Sequence, residues 1–365
     1  MTSFVFIRVY KAEDAMKRLI IIIVLLLSTA AYARTTVQFL QKDVVIDNEE
    51  SLKNSIENQV QEITDKNGTF ISNSFALANL LGYPIGKSSI GRFPHIETGI
   101  AAGVALTNAK YYDDKAEDGT FPGVMANPVL HAGVGLAGGF DIIGKIFYFR
   151  MSMYDPGLDT DTAKLEDFNF ISLGAKLRYN YCKEATVIPF LLKFGGITLS
   201  IGADVMMGNV DVTGKYDTNY EDITVNVEGT DYTLTSQFES TYGATISWTI
   251  VTLSAQAITY IDIMYLFSLY TGFGVATNLG FFSTDFTADG TLTTDNSAYV
   301  TAKGDGNIGT MRFESVNSYM PDYVIPTFIF GVELNLFVIK VTGETMVNLY
   351  NRSDVTLQAG VRIQL

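Results

Sequence analysis

The feature that most constrains this chain is a two-residue hydrophobic alternation that recurs from residue 96 to the last residue. It is sharpest at the end. Val355, Leu357, Ala359, Val361, Ile363 and Leu365 fall on one face, and Thr356, Gln358, Gly360, Arg362 and Gln364 on the other. Period two marks a strand with one apolar and one polar face. A soluble domain rarely stops inside such a strand, because chain ends are usually frayed and polar. A barrel does stop there, since its final strand closes the cylinder against its first.

Further segments carry the same pattern. Residues 96–106 put Ile96, Ile100, Val104 and Leu106 outward and Glu97, Gly99, Ala101, Gly103 and Ala105 inward. Residues 129–140 put Leu130, Val134 and Leu136 outward and His131, Gly133 and Gly135 inward. After a turn at 141–145, the third segment is expected to place Phe147, Phe149, Met151 and Met153 toward lipid, with Tyr148 and Arg150 inside. Residues 168–181 carry Lys176 and Arg178 inward, and 197–207 carry Asp204 inward. A sixth segment, 233–258, changes phase near Ile250–Val251, which reads as a bulge or as a turn that splits it. Segments at 265–281, 328–336 (Glu333 inward), 341–349 (Glu344 inward) and 355–365 (Arg362 inward) complete the set. The expected fold class is all-β, a transmembrane antiparallel β-barrel of about ten strands, within a range of roughly eight to fourteen.

The connections support a barrel. Those at 141–145, 262–265 and 337–340 are short; those at 107–127, 155–167, 208–232 and 282–323 are long, as expected for periplasmic turns against extracellular loops. The link 182–194 and the turn 351–354 break the rule. Tyr179, Tyr181, Tyr260, Tyr265 and Phe267 gather at strand ends, where an aromatic girdle belongs. A secreted β-sandwich is the soluble competitor, but it does not need such long strands.

The start of the chain agrees with export. Met16-Lys-Arg, the apolar run 19–27 and the small-x-small triplet Ala31-Tyr32-Ala33 read as a signal peptide cut after Ala33, with Met16 as the true start. No cysteine follows the run, so no lipoprotein anchor is expected; a membrane-anchoring first helix is the alternative. Removing residues 1–33 takes four of 25 basic and two of 39 acidic residues, leaving a formal charge of −16. That balance excludes nucleic acid as a partner, because no basic stripe is available to neutralise phosphates. Only 18% of residues are charged, and 24 Phe and 20 Tyr stand against eight Pro. Mean hydropathy is positive, yet the best later helix candidate, 246–276, is interrupted by Asp262 and lacks basic flanks. Half-apolar strands explain high hydropathy without helices. The single Cys182 reads as a small buried side chain.

Residues 34–94 form a separate N-terminal segment ahead of the barrel at 95–365. Leu52, Ile56, Val60 and Ile63 share one helical face, and Asn67-Gly68 is expected to end that helix. The Gly and Ala residues facing inward on the first two strands leave a hollow, whereas small barrels normally fill theirs with side chains. Three readings are open. The N-terminal segment packs there as a plug, through Leu52, Ile56, Val60 or the stretch 75–83; the hollow is a water-filled conduit; or inward aromatics reach across it.

The lumen-lining candidates Glu97, Lys176, Arg178, Asp204, Glu333, Glu344 and Arg362 carry both signs, and could pair structurally or set ion selectivity. Bare alternation does not say which of them share a height. Enzymatic chemistry is not expected, because His95 and His131 are the only histidines and neither sits in a serine motif. No metal or other cofactor is expected: Asp159-Thr-Asp161 and Asp305-Gly-Asn307 lack calcium-loop spacing. Acidic stretches such as Asp113, Asp114, Glu117 and Asp118 read as solvated loops, with loose divalent-cation binding as the alternative.

The segment Gln358, Gly360, Ile363 and Leu365 resembles the C-terminal signal read by the barrel assembly machinery, ending in Leu where that signal usually ends in Phe. Gly174-Ala-Lys-Leu-Arg178-Tyr and the terminal strand resemble outer-membrane barrel proteins of spirochaetes. The order of helical segment then barrel is similar, in architecture only, to the fatty-acid channel family, where a hatch blocks the lumen; that family has more strands, and no binding residue carries over. The resemblances imply a bacterial outer-membrane location, with outer-membrane lipid and the assembly machinery as partners. Two functions are expected from this reading. One is a narrow or plugged channel for small or hydrophobic solutes. The other is a surface protein acting through the loops 208–232 and 282–323.

Overall fold

The computed structural model describes residues 33–42, 45–46, 49–83, 90, 95–107, 123–152, 163–182, 184–227 and 229–365. The expected signal segment lies outside them apart from Ala33, as do the acidic stretches at 113–118 and 155–161. Chain order is β1 (Ala33–Lys42), β2 (Val45–Ile46), α1 (Glu49–Asn79), β3 (Ile96–Thr107), β4 (Gly123–Gly135), β5 (Phe140–Ser152), β6 (Ala163–Cys182), β7 (Ala185–Ile188) and β8 (Leu192–Val227). β9 (Thr230–Ile263), β10 (Phe267–Thr293), α2 (Ser297–Lys303), β11 (Asn307–Tyr319), β12 (Val324–Leu336), β13 (Ile339–Asn348) and β14 (Val355–Gln364) follow.

Ten strands close a ring in the order β3-β4-β5-β6-β8-β9-β10-β12-β13-β14, all antiparallel. The closing seam is β14 on β3, from Val355↔Leu106 to Gln364↔Glu97. Closure removes the unpaired edges that a bilayer would penalise. Outward positions form an apolar belt that includes Ile100, Leu130, Ile146, Leu173, Ile201, Leu253, Phe273, Phe330 and Val361. Inward positions are polar and buried. Among the described residues no helix is long and apolar enough to cross a membrane; the strands cross it. The chain is a membrane-spanning barrel of the outer-membrane type.

β5 reverses its expected facing. The tight turn lies at Ala137–Gly139, where Gly138 and Gly139 take positive φ, so 141–145 is strand. Asp141, Ile143 and Lys145 therefore point inward and are buried, with Phe147 on the same face, while Tyr148 is 61% exposed on the outside beside the exposed Arg150. Met153 lies outside the described residues. In the aromatic girdle, Tyr179, Tyr181, Tyr265 and Phe267 are exposed at strand ends, but Tyr260 is buried at 1% exposure.

β9 has neither bulge nor turn near residue 250. Its more buried residues stay at even positions from Leu234 to Asp262, with no register shift against β10. What changes is the chemistry of each face. Below that height the inside carries Thr252, Ser254 and Gln256 and the outside Leu253 and Ala255; above it the inside carries Ile250 and Trp248 and the outside Thr249 and Ser247. The strand leaves the bilayer there and its interior turns apolar, so the hydrophobic phase flips while the backbone runs straight.

The expected long loops 208–232 and 282–323 are mostly strand. β8, β9 and β10 run on past the belt, and β11 joins β10 (Phe282↔Tyr319 to Thr293↔Asn307) and then β1. β2 pairs with β8 near its tip. This extension has its own core of Val37, Val225, Leu234, Phe238, Leu292, Met311 and Phe313, with Tyr299 from α2.

α1 is the second departure from expectation. It continues through Asn67-Gly68 to Asn79, a rod about 46 Å long at 1.5 Å per residue. Gly68 does not stop the helix, because its missing side chain makes room: a Cβ there would come within 2.3 Å of the Tyr319 ring. The first half of α1 lies against the extension, where Glu57 accepts from the Val37 N–H (2.9 Å) and Lys53 sits over the Phe39 ring. The last turns enter the barrel.

Candidate functional site

The lumen is stoppered by residues 67–83 and Ile90, which run down it from the extension to the start of β3. Phe75, Ala76, Leu77, Ala78, Leu80, Leu81 and Tyr83 are all buried. The glycine-lined wall of β3 and β4 is where they fit. A Cβ on Gly103 would come within 2.7 Å of Leu81, and one on Gly133 within 2.8 Å of Ile90. The hollow expected from the sequence is thus occupied by this segment. Of the proposed plug residues, the stretch 75–83 enters the barrel. Leu52, Ile56 and Val60 belong to the half of α1 beside the extension, and their side chains lie outside the described residues. α1 does not end at Gly68 but runs on to Asn79, about three turns further, and it is these last turns that enter the barrel.

Three tiers line the lumen. The upper tier is aromatic. Phe75 wedges between Trp248 and Phe282, with ring centroids 4.7 and 5.5 Å away. Trp248 continues to Phe168 and Phe170, and these to Phe149 and Phe147 on β5, each ring 5.7 Å from its partner across the strands. Such pairs are worth roughly 0.5–1.5 kcal/mol each beyond area burial.

The middle tier holds the plug by its backbone. Lys145 Nζ donates to the Asn79 and Leu81 carbonyls and pairs with Asp204 at 3.0 Å. Tyr83 donates to Asp204 (2.6 Å), and its ring lies between the ammonium groups of Lys145 (4.7 Å) and Lys176 (4.4 Å). Gln358 accepts from Gly82 N and donates to the Tyr83 carbonyl, while Asn127 donates to the Ala78 carbonyl (2.8 Å). Asn79 in turn donates to Thr252 (3.0 Å). The carbonyls at the end of a helix have no partner within it; here the barrel wall supplies the donors.

The lowest tier is ionic. Arg178 faces Asp141 (3.5 Å) and Glu97 (3.8 Å), and Arg362 bridges Glu333 (2.7 Å) and Glu97 (3.6 Å). Ile90 N–H donates to Asp141, and Gln364 donates to the Ile90 carbonyl, tying the plug here too. Glu344 accepts from Tyr270 (3.1 Å). His131 is buried among these groups, and among the described residues neither ring nitrogen has a hydrogen-bond partner.

All seven sequence-derived lumen candidates, Glu97, Lys176, Arg178, Asp204, Glu333, Glu344 and Arg362, are inward and buried. The sequence reading missed Asp141 and Lys145 by assigning them to a turn. The alternation Phe140, Ile142, Ile146, Tyr148 was the available signal. It also missed the plug-holding Gln358, which it assigned to the terminal signal. Of that set, Gly360 packs near Thr342 and Ala101, and Ile363 and Leu365 are exposed on the outer face.

A family model described as Lsa36-like matches residues 30–365. No match is found among the curated proteins. Among solved structures, CarO of Acinetobacter baumannii is similar at 11% identity and a TM-score of 0.24, covering 60% of this chain and 96% of that one. Ail, the attachment invasion locus protein of Yersinia pestis, matches at 12% and 0.22, covering 61% and 98%. The Ralstonia pickettii toluene transporter TbuX matches at 9% and 0.22, covering 83% and 96%. These likenesses are too distant to carry an argument about activity.

Proposed function

The chain belongs to the Lsa36-like family, and for this member we propose, from the stoppered lumen, a plugged channel for small apolar solutes. The observation that carries this reading is the construction of the plug. Its upper contacts are aromatic rings, which suit an apolar solute, and its lower contacts are hydrogen bonds from side chains to backbone, which can be exchanged for water one at a time. A core that only needed filling would use inward apolar side chains from the strands. The charged lower tier, once uncovered, would set the selectivity of the open path.

The test is planar-bilayer conductance of refolded residues 34–365 against the same protein lacking 34–90. The full chain is expected to be silent or nearly so, and the deletion to give discrete, larger steps. Equal conductance in the two sinks the plug.

A second reading, a surface protein that binds neighbours through its extension, is favoured by one observation. β8, β9 and β10 rise well beyond the belt and build a separate core there. Shortening the β8–β9 hairpin separates the two. Lost attachment to a surface partner with unchanged conductance favours the extension; unchanged attachment with altered conductance favours the channel.

A further inference from the structure

His131 is a buried titratable side chain that the contacts described so far leave without a task. It faces the lumen from β4 at 3% exposure, and among the described residues neither ring nitrogen has a hydrogen-bond partner. A position that needed only filling would take an apolar side chain, because a polar ring buried without partners loses its hydration and gains nothing in return.

Its neighbours in register are cations. His131 stands directly opposite Lys145 on β5, a placement that brings Cβ atoms to about 5 Å. On its other side it stands opposite Gly99 on β3, and Gly99 opposite Arg362 on β14. That rung therefore carries no side chain between the imidazole and Arg362. Beyond Lys145, β6 adds the inward Lys176 and Arg178.

The carboxylates around it are already engaged. Glu97 on β3 faces Arg178 and Arg362, and Glu333 on β12 pairs with Arg362. Asp141 on β5 faces Arg178 and accepts from Ile90 N–H. Asp204 on β8 pairs with Lys145 and accepts from Tyr83 of the plug. An imidazolium at position 131 would find no acceptor set aside for it. Like charges directly opposite each other on a sheet face are destabilising, and a low-dielectric interior strengthens the repulsion. The charge would bear on Lys145, the side chain that holds the Asn79 and Leu81 carbonyls of the plug.

We propose that His131 is an acid-operated release for the plug. Its second proton sets an imidazolium against Lys145 and Arg362, Lys145 loses its grip on the plug carbonyls, and residues 67–83 undock. This deepens the plugged-channel reading and rests on it. Release takes up one proton, so the docked-to-undocked ratio falls as pH is lowered, by at most about tenfold per pH unit.

Trp248 is the single tryptophan and packs on Phe75 of the plug at 4.7 Å, so its access to acrylamide reports docking. The test uses residues 34–365 refolded in phosphatidylcholine vesicles and titrated between about pH 8 and pH 5. Quenching of Trp248 is expected to rise as pH falls, within that tenfold limit per pH unit, and to reverse on return. H95Q, which leaves His131 as the only histidine, should keep the response, and H131N and H131Q should lose it. A flat response in the parent overturns the release. A response that survives in H131N and H131Q assigns it to the carboxylates and overturns the role of His131. In H95Q the single imidazole signal seen by NMR must titrate over the same range as the quenching; separate midpoints overturn the proposal whether or not the variants at 131 fold. Planar-bilayer conductance keeps the two readings apart. Acid-dependent quenching without acid-induced steps leaves the release standing and removes the channel, whereas flat quenching with a conducting chain that lacks 34–90 does the reverse.

Discussion

Lys145 is the side chain whose loss should unseat the plug with least damage to the wall. It is fully buried, pairs with Asp204 at 3.0 Å, and donates to the carbonyls of Asn79 and Leu81. In K145M the methylene stem is kept, but two charge-assisted hydrogen bonds disappear, each worth about 1.5–3 kcal/mol. Asp204 keeps its hydrogen bond from the Tyr83 hydroxyl. Breaking a buried pair by removing one partner costs about 3–5 kcal/mol. These losses overlap, so about 3–5 kcal/mol is the reasonable total, a factor of roughly 10²–10⁴ in the docked-to-undocked ratio. The strain falls on the plug, since the β-ladders of β5 and β8 do not involve the ammonium group. Hydrogen exchange read by mass spectrometry should show peptides covering 70–81 losing protection by that factor while β9 peptides keep theirs. Bilayer conductance should show opening events absent from the parent. K145M/D204N, which removes the orphaned charge, should recover part of the protection. If residues 70–81 in K145M stay as protected as in the parent and conductance is unchanged, Lys145 is not what holds the plug and the argument fails.

Phe75→Ala empties the space between Trp248 and Phe282 and should destabilise plug docking by about 3–5 kcal/mol; the check is a red shift of Trp248 emission as water enters. Gly68→Ala would gain about 1 kcal/mol of helix propensity in isolation, but its Cβ would come within 2.3 Å of the Tyr319 ring. It should therefore lower the urea midpoint, and a raised midpoint would show that α1 can shift away from β11. Arg362→Met leaves Glu97 and Glu333 buried together without their shared partner and should cost about 3–5 kcal/mol in the urea unfolding of the refolded barrel. E97Q/R362M should then be milder than R362M alone, and a double variant as unstable as the single would remove the bridge from the account.

The terminal strand, the ten-strand ring and the inward set from Glu97 to Arg362 were legible in the chain, because period two survives wherever one face meets lipid and the other a polar lumen. The reading failed where that contrast changed. On β5, Phe147 and Phe149 look lipid-facing but line an aromatic lumen, so apolar character could not identify the outside. On β9 the same exchange of faces at residue 250 imitated a bulge. In β8, β10 and β11 beyond the belt, neither face meets lipid, and strands rich in Thr, Asp and Asn looked like loops. Gly68 read as a stop because its reason, the ring of Tyr319, stands 251 positions away in the chain.

Local chemistry therefore determined which segments are strands within the membrane. Only the tertiary structure decided what occupies the lumen. A glycine-lined wall states that space exists, but whether water, aromatic rings or a helix takes it depends on where a distant segment arrives. The pairing of buried charges was decided in the same way, since alternation gives the face of a residue while strand stagger gives its height. That stagger is set by closure of the whole ring.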